Sequence, residues 1–189
     1  MDFNAITNTP TTSINHLRGI LQLQQKNLAQ NITPQEKEEQ GFVTVVHTIE
    51  QLKKFVQHAP QFVAIHQREV VGYILSMTSN SKKDIPVLVS MFETLEKIQY
   101  EEIILAKYRY IVCGQACVAK YYRGQGLLKR LYYCMRDEWK GLYDLCITEI
   151  EAGNVRSLKA HKNLGFKRIH TYTDDKNTWH IVVWDWRNT

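Results

Sequence analysis

Apolar residues recur along this chain at two spacings, one near 3.6 and one of two, and the segments carrying them alternate. Behind Ser13 the apolar positions Ile14, Leu17, Ile20, Leu21 and Leu28 fall near one helical face, which predicts a capped helix. "TPQE" at Thr33–Glu36 places a cap, a first-turn proline and a glutamate three residues after the cap. It predicts a short helix stopped at Gly41. "TIEQLKKFVQ" repeats the capping pattern with Thr48 and Gln51 and buries Leu52, Phe55 and Val56. Upstream of these, "MDFNAITN" reads as a first strand. Two β-rich runs in "QFVAIHQREVVGYILSM" flank the polar turn His66–Glu69 and predict an antiparallel hairpin.

After the loop "SNSKKD", the segment "IPVLVSMFETLEKI" predicts a helix with Leu88, Met91, Phe92, Leu95 and Ile98 near its period. The second half then reads as strand ("YRYIVCGQACVA"), helix to about Gly141, strand ("YDLCITEIE") and helix from Asn154 to Gly165. Two strands, "FKRIHTYT" and "TWHIVVWDW", follow around the turn "DDKN". A strand-helix-strand unit makes its strands parallel through a right-handed crossover. With the early hairpin this gives an α/β fold: a mixed central sheet with helices on both faces. Without repeats or linkers, residues 1–189 read as a single domain.

Composition narrows the class. The chain is 44% apolar and 23% charged, as in ordinary globular domains. No apolar run approaches the roughly 20 residues of a membrane span, and "MDFNAITNTPTTS" lacks the features of a signal peptide. A cytoplasmic protein without membrane partners is the expectation. Cys113, Cys117, Cys134 and Cys146 lie in apolar segments without metal or redox spacing and read as buried free thiols. The histidines show no metal spacing either, so no metal is expected. The net charge of +5 suits an anionic ligand, but no basic run points to nucleic acid.

The segment "YYRGQGLLKRLYYCMRDEW" carries the chemistry. Glycines placed between a strand and an amphipathic helix leave helix-start N–H groups open, with the positive end of the helix dipole behind them. Arg123, Gly124, Gln125, Gly126, Leu127 and Leu128 form such a start. It can cradle a pyrophosphate or be a structural turn only. Neither a dinucleotide GxGxxG nor a GxxxxGK[ST] loop is present.

A second segment, "EIEAGNVRSLKAHKNLGF", follows one strand later. Together the two resemble the GNAT superfamily of acyl-CoA-dependent N-acetyltransferases over about residues 110–186. "RGQGLL" supplies Arg123 and Gly126 of the family's [QR]-x-x-G-x-[GA] motif and departs from it at Leu128. Asn154, Ser157, His161, Gly165 and Phe166 match the next motif in order and spacing. The resemblance implies a splayed parallel strand pair holding acetyl-CoA, with residues 79–107 an insertion beside the acceptor site. Cys117, Val118 and Ala119 would run along the pantetheine arm, with the Val118 amide polarising the thioester carbonyl. The turn Arg123–Leu128 would hold the pyrophosphate. Asn154 and Ser157 would meet the arm from the other side.

Direct transfer needs a neutral amine, and a lysine-like amine of pKa about 10.4 arrives protonated. Glu149 and Glu151 share a strand face. Glu149, the deeper of the two, is the candidate general base, with ordered water the alternative. His161 is the candidate acid for the leaving thiolate, since imidazolium can donate near neutrality. The acceptor is an amine of unstated kind: small molecule, peptide or protein. Two other readings stay open, an acyl-CoA-binding module without transferase activity and a modifier of aminoacyl-tRNA. The segment "TWHIVVWDW" is expected to expose a sheet edge through which a homodimer could pair.

Overall fold

The computed structural model describes residues 5–83 and 89–187. The chain starts with strand β1 (Thr7–Thr11) and three helices, α1 (Ile14–Asn27), α2 (Pro34–Gln40) and α3 (Ile49–His58). The hairpin β2 (Gln61–His66) and β3 (Glu69–Met77) follows. Then come α4 (Val89–Leu95) and a two-residue ladder, β4 (Gln99–Tyr100) and β5 (Ile103–Ile104). The second half runs β6 (Tyr110–Val118), α5 (Leu127–Trp139), β7 (Leu145–Glu151), α6 (Val155–Leu164), β8 (Lys167–Thr173) and β9 (Thr178–Asp185).

Local chemistry sets most boundaries. Thr33 and Thr48 both make full capping boxes, with Glu36 and Gln51. Ser13 stands at the start of α1 with no side-chain cap bond. At the β2–β3 turn, Gln67 and Arg68 both take positive φ (50° and 70°), matching the strands' own twist. The first strand lies later than the sequence pattern places it. Residues 1–4 of "MDFNAITN" lie outside the described residues, and β1 covers Thr7–Thr11, where Pro10 is tolerated at a sheet edge.

The seven-stranded sheet has the order β1-β2-β3-β6-β7-β9-β8. Only β6 and β7 are parallel. One face packs Leu17, Ile20 and Leu23 of α1, Leu52 and Phe55 of α3, and Phe92 and Leu95 of α4. The other packs Leu127, Leu131 and Met135 of α5 and Leu164 of α6 against Phe166 and Trp184. Helices thus cover both faces, as the alternation of periods predicts.

One expectation changes. β9 is interior, paired with β7 on one side and β8 on the other, so "TWHIVVWDW" exposes no edge. The final hairpin adds β8 outside it, and β8 is the edge strand at this end of the sheet. The described part of segment 79–107 packs into the core. Met91, Phe92, Leu95 and Leu105 join the core, Tyr100 donates to Asp185 Oδ2 (3.1 Å), and Arg187 pairs with Glu101 (2.6 Å). Asp185 is paired with Leu145 at the N-terminal end of β7, the end where β6 and β7 stay joined. Residues 84–88 of this segment lie outside the described residues.

Candidate active site

The two parallel strands pair only at Tyr110–Leu145, Ile111–Cys146 and Val112–Ile147. Beyond Val112 the ladder stops while β6 continues against β3. A register shift on that side sets Cys113 opposite Ser76 and Gln115 opposite Leu75, so Gly114 is an extra residue. Such a bulge bends a strand, and here the bend carries β6 away from β7. The gap between them is the site.

Antiparallel pairing fixes what β6 presents to this gap. The amide of Ala119 donates to Val71 O of β3 at 2.8 Å. By alternation, the N–H and C=O of Val118 turn the other way, into the gap. The Val118 carbonyl accepts from Arg123 Nε at 2.8 Å, and the second arm of that guanidinium reaches Asn27 Oδ1 of α1. Arg123 therefore clamps the end of β6 to α1, and its charge stands beside the turn.

Gly124 and Gly126 both have left-handed φ, 73° and 77°, and a Cβ built on either would meet nothing within 4 Å. This left-handed conformation favours glycine, and its missing side chain leaves open space. Arg130 N donates to Gly126 O (3.0 Å), the cap residue of α5, so the amides of Leu127, Leu128 and Lys129 lie in the unpaired first turn of the helix. Together with Val118, Tyr122, Arg156 and Ser157 they line a cleft of about 360 Å³. Leu128 is part of this lining and packs partly on the α5 side of the core.

Asn154 caps α6: its Oδ1 accepts from Ser157 N at 3.2 Å, and its Nδ2 donates to Phe42 O at 3.2 Å. That second bond holds the segment after α2. His161 is buried. Its Nδ1 lies 2.8 Å from Ser157 O and so carries the proton, and its Nε2 accepts from Tyr132 OH at 2.7 Å. Burial pulls its pKa down to about 4. Packing of the ring against Tyr132 and Phe166 disfavours its charged form.

Glu149 has the opposite shift. Burial raises its carboxyl to about 7, although Tyr172 OH donates to Oε1 at 2.8 Å and pulls the other way. It lines a narrow crack of about 70 Å³ with Gln115, Thr44, Glu151 and Trp179. The cleft and the crack share Phe42, Val43, Ala116, Asn154, Ser157 and His161. They meet at the gap in the sheet. Cys113 and Cys117 are pushed up to about 12 by burial, which leaves both thiols un-ionised. Among the described residues no group of three or more His, Cys, Asp or Glu could hold a metal, and no helix is long and apolar enough to cross a membrane.

No protein-family model and no curated protein matches this chain. Solved structures do. An acetyltransferase of the GNAT family from Streptococcus agalactiae superposes with a TM-score of 0.66 at 12% identity, over 95% of each chain. Arabidopsis thaliana NAA60, in complex with acetyl-CoA, gives 0.62 at 13%, over 95% of this chain and 99% of its own. The ribosomal-protein-S18-alanine N-acetyltransferase of Escherichia coli gives 0.60 at 13%, over 97% and 98%. The chain has the GNAT fold.

Within this GNAT fold, several site residues carry no sequence signal. Tyr172 reaches Glu149 from the neighbouring hairpin, and only the sheet order brings them together. Phe42, Val43 and Thr44 come from a loop between two capped helices. Gln115 did leave a trace: it interrupts an otherwise apolar strand.

Proposed function

We propose that the chain is an acyl-CoA-dependent N-acetyltransferase that moves the acetyl group of acetyl-CoA to an amine by direct attack on the thioester. The observation that carries this reading is the meeting of two cavities at the splayed strands. One is lined by open helix-start amides and cations, and the other holds a carboxyl tuned to about 7. The neighbour solved with acetyl-CoA supports the choice of cosubstrate.

The fit to that cosubstrate rests on this chain's own geometry. Gly124 and Gly126 leave room for a pyrophosphate, Leu127 to Lys129 offer amides, and Arg123, Lys129 and Arg156 supply positive charge. The free Val118 N–H faces the gap and would donate to the oxygen on which charge develops. A fixed donor of this kind is worth roughly 2.7–4 kcal/mol. Cys117 and Ala119 serve through their place on the strand, as the Cys117 thiol is buried.

Glu149 is the general base. With a pKa of about 7 it is half deprotonated at neutrality and can take the proton that an ammonium must lose, directly or through one water. The nitrogen–carbon bond then forms and the carbon–sulfur bond breaks. His161 does not supply the thiolate's proton in this scheme, because it is neutral and both ring nitrogens are engaged. It holds the wall of the gap through Tyr132, and solvent protonates the thiolate.

The reading is tested by measuring thiol release from acetyl-CoA across a panel of amines, beside a calorimetric titration with acetyl-CoA. Amine-dependent release supports transfer. Tight binding without release would leave a binding module in its place.

A further inference from the structure

The α1 side of the sheet buries a polar cluster that neither the cleft nor the base requires. Gln24 of α1, Tyr73 of β3, Gln115 of β6 and His47 are all buried there. Gln115 Oε1 accepts from Gln24 Nε2 and from Tyr73 OH, both at 2.6 Å, which uses both of its lone pairs. With the carboxamide so oriented, Gln115 Nε2 donates to Val45 O at 2.9 Å. Gln24 Oε1 accepts from His47 N at 2.9 Å, and Gln24 Nε2 approaches His47 Nδ1 at 2.8 Å. His47 must then carry its proton on Nε2, and that buried donor has no partner among the described residues.

Replacing hydrogen-bonded polar pairs by apolar groups of the same shape can be nearly neutral or stabilising, so core stability alone does not call for this cluster. What the cluster achieves is the fixing of one stretch of irregular backbone, residues 42–47. The same stretch is pinned elsewhere by Asn154 to Phe42 O and by Val43 N to Asn27 O at 3.0 Å. Phe42, Val43 and Thr44 are the residues through which it lines the crack facing Glu149 and Trp179. This strap thus forms one wall of the crack between β6 and β7.

We propose that Gln115 is a positioning residue for this strap and, through it, a determinant of which amine reaches Glu149. The inference rests on the transferase reading. Phe42, Val43 and Thr44 form one wall of the crack that Glu149 lines, so the strap's place bears on how bulky an amine can approach the carboxyl. Gln115 holds that wall.

The test is Gln115→Glu, which keeps the shape but sets a carboxyl oxygen against Val45 O where an amide donor stood, and adds a second carboxyl to the crack that Glu149 lines. Amide hydrogen exchange in residues 42–47 should speed up at least tenfold, while that of β2 and β7 stays unchanged. Acetyl-CoA affinity should stay within twofold. Against the best linear primary amine of the panel, kcat/KM should fall about tenfold. The ratio of branched to linear amine turnover should rise. Tyr73→Phe, which removes one bond from Gln115 Oε1 and keeps the ring, should shift every readout the same way by less, and it serves if Gln115→Glu does not fold. Unchanged exchange in the strap overturns the positioning role whether or not any amine is turned over. A loosened strap with unchanged amine selectivity overturns its role in selection. Absence of turnover with every amine would instead defeat the transferase reading.

Discussion

Tyr172 on β8 donates its hydroxyl to Glu149 Oε1 on β7 at 2.8 Å, across the intervening strand β9. The bond favours the carboxylate against the burial that raises its pKa to about 7. Tyr172→Phe removes the bond and leaves the burial. The rising limb of kcat/KM against pH, set by deprotonation of the base, should move to higher pH. A pH–rate profile of the variant checks the direction.

His161 should be neutral across the working range. Its folded pKa, about 4, lies below the ordinary value of 6.5. The stability this gives is complete above about pH 6.5 and is lost as pH falls through about 4. Nitrogen chemical shifts in NMR should report the Nδ1–H tautomer down to about pH 5. His161→Phe should flatten acid destabilisation between pH 6.5 and 4, and it should leave the high-pH side of the rate profile unaltered.

Gly126 stands at φ 77° with empty space where a Cβ would point. Gly126→Ala should cost about 1–2 kcal/mol of stability from the left-handed backbone alone. It should also weaken acetyl-CoA binding about tenfold or more by placing a methyl against the pyrophosphate. Denaturant melts and calorimetry separate the two effects.

Asn154 joins a cap to a tether. Asn154→Asp retains an acceptor for Ser157 N, and both residues cap well. It sets a carboxylate against Phe42 O, 3.2 Å away, where a donor stood. The helix should survive in circular dichroism, and exchange of the strap amides should rise as it does for Gln115→Glu.

The order of elements was legible because period and caps agreed: Thr33 and Thr48 make the boxes their spacing announces, and Gly165 ends α6 with φ 102°. The glycine turn was legible for the same local reason. What was not legible is long-range. Val118's orientation follows from a bulge at Gly114 that pairs with another strand. His161's neutrality follows from Tyr132, nearly thirty positions away, and from burial that no local spacing encodes. The interior place of β9 depends on where the last hairpin docks, and its apolar alternation fits an edge or a centre equally.

The most direct test of direct transfer with Glu149 as base is kcat/KM for the best amine from pH 5.5 to 9, in the wild type and in Glu149→Gln. The wild type should show a rising limb near pH 7, with any later rise tracking the amine. The variant should lose about 10²–10⁴ in rate, bind acetyl-CoA as before, and show no limb near 7. A variant that turns over like the wild type, with the limb in place, would contradict the account.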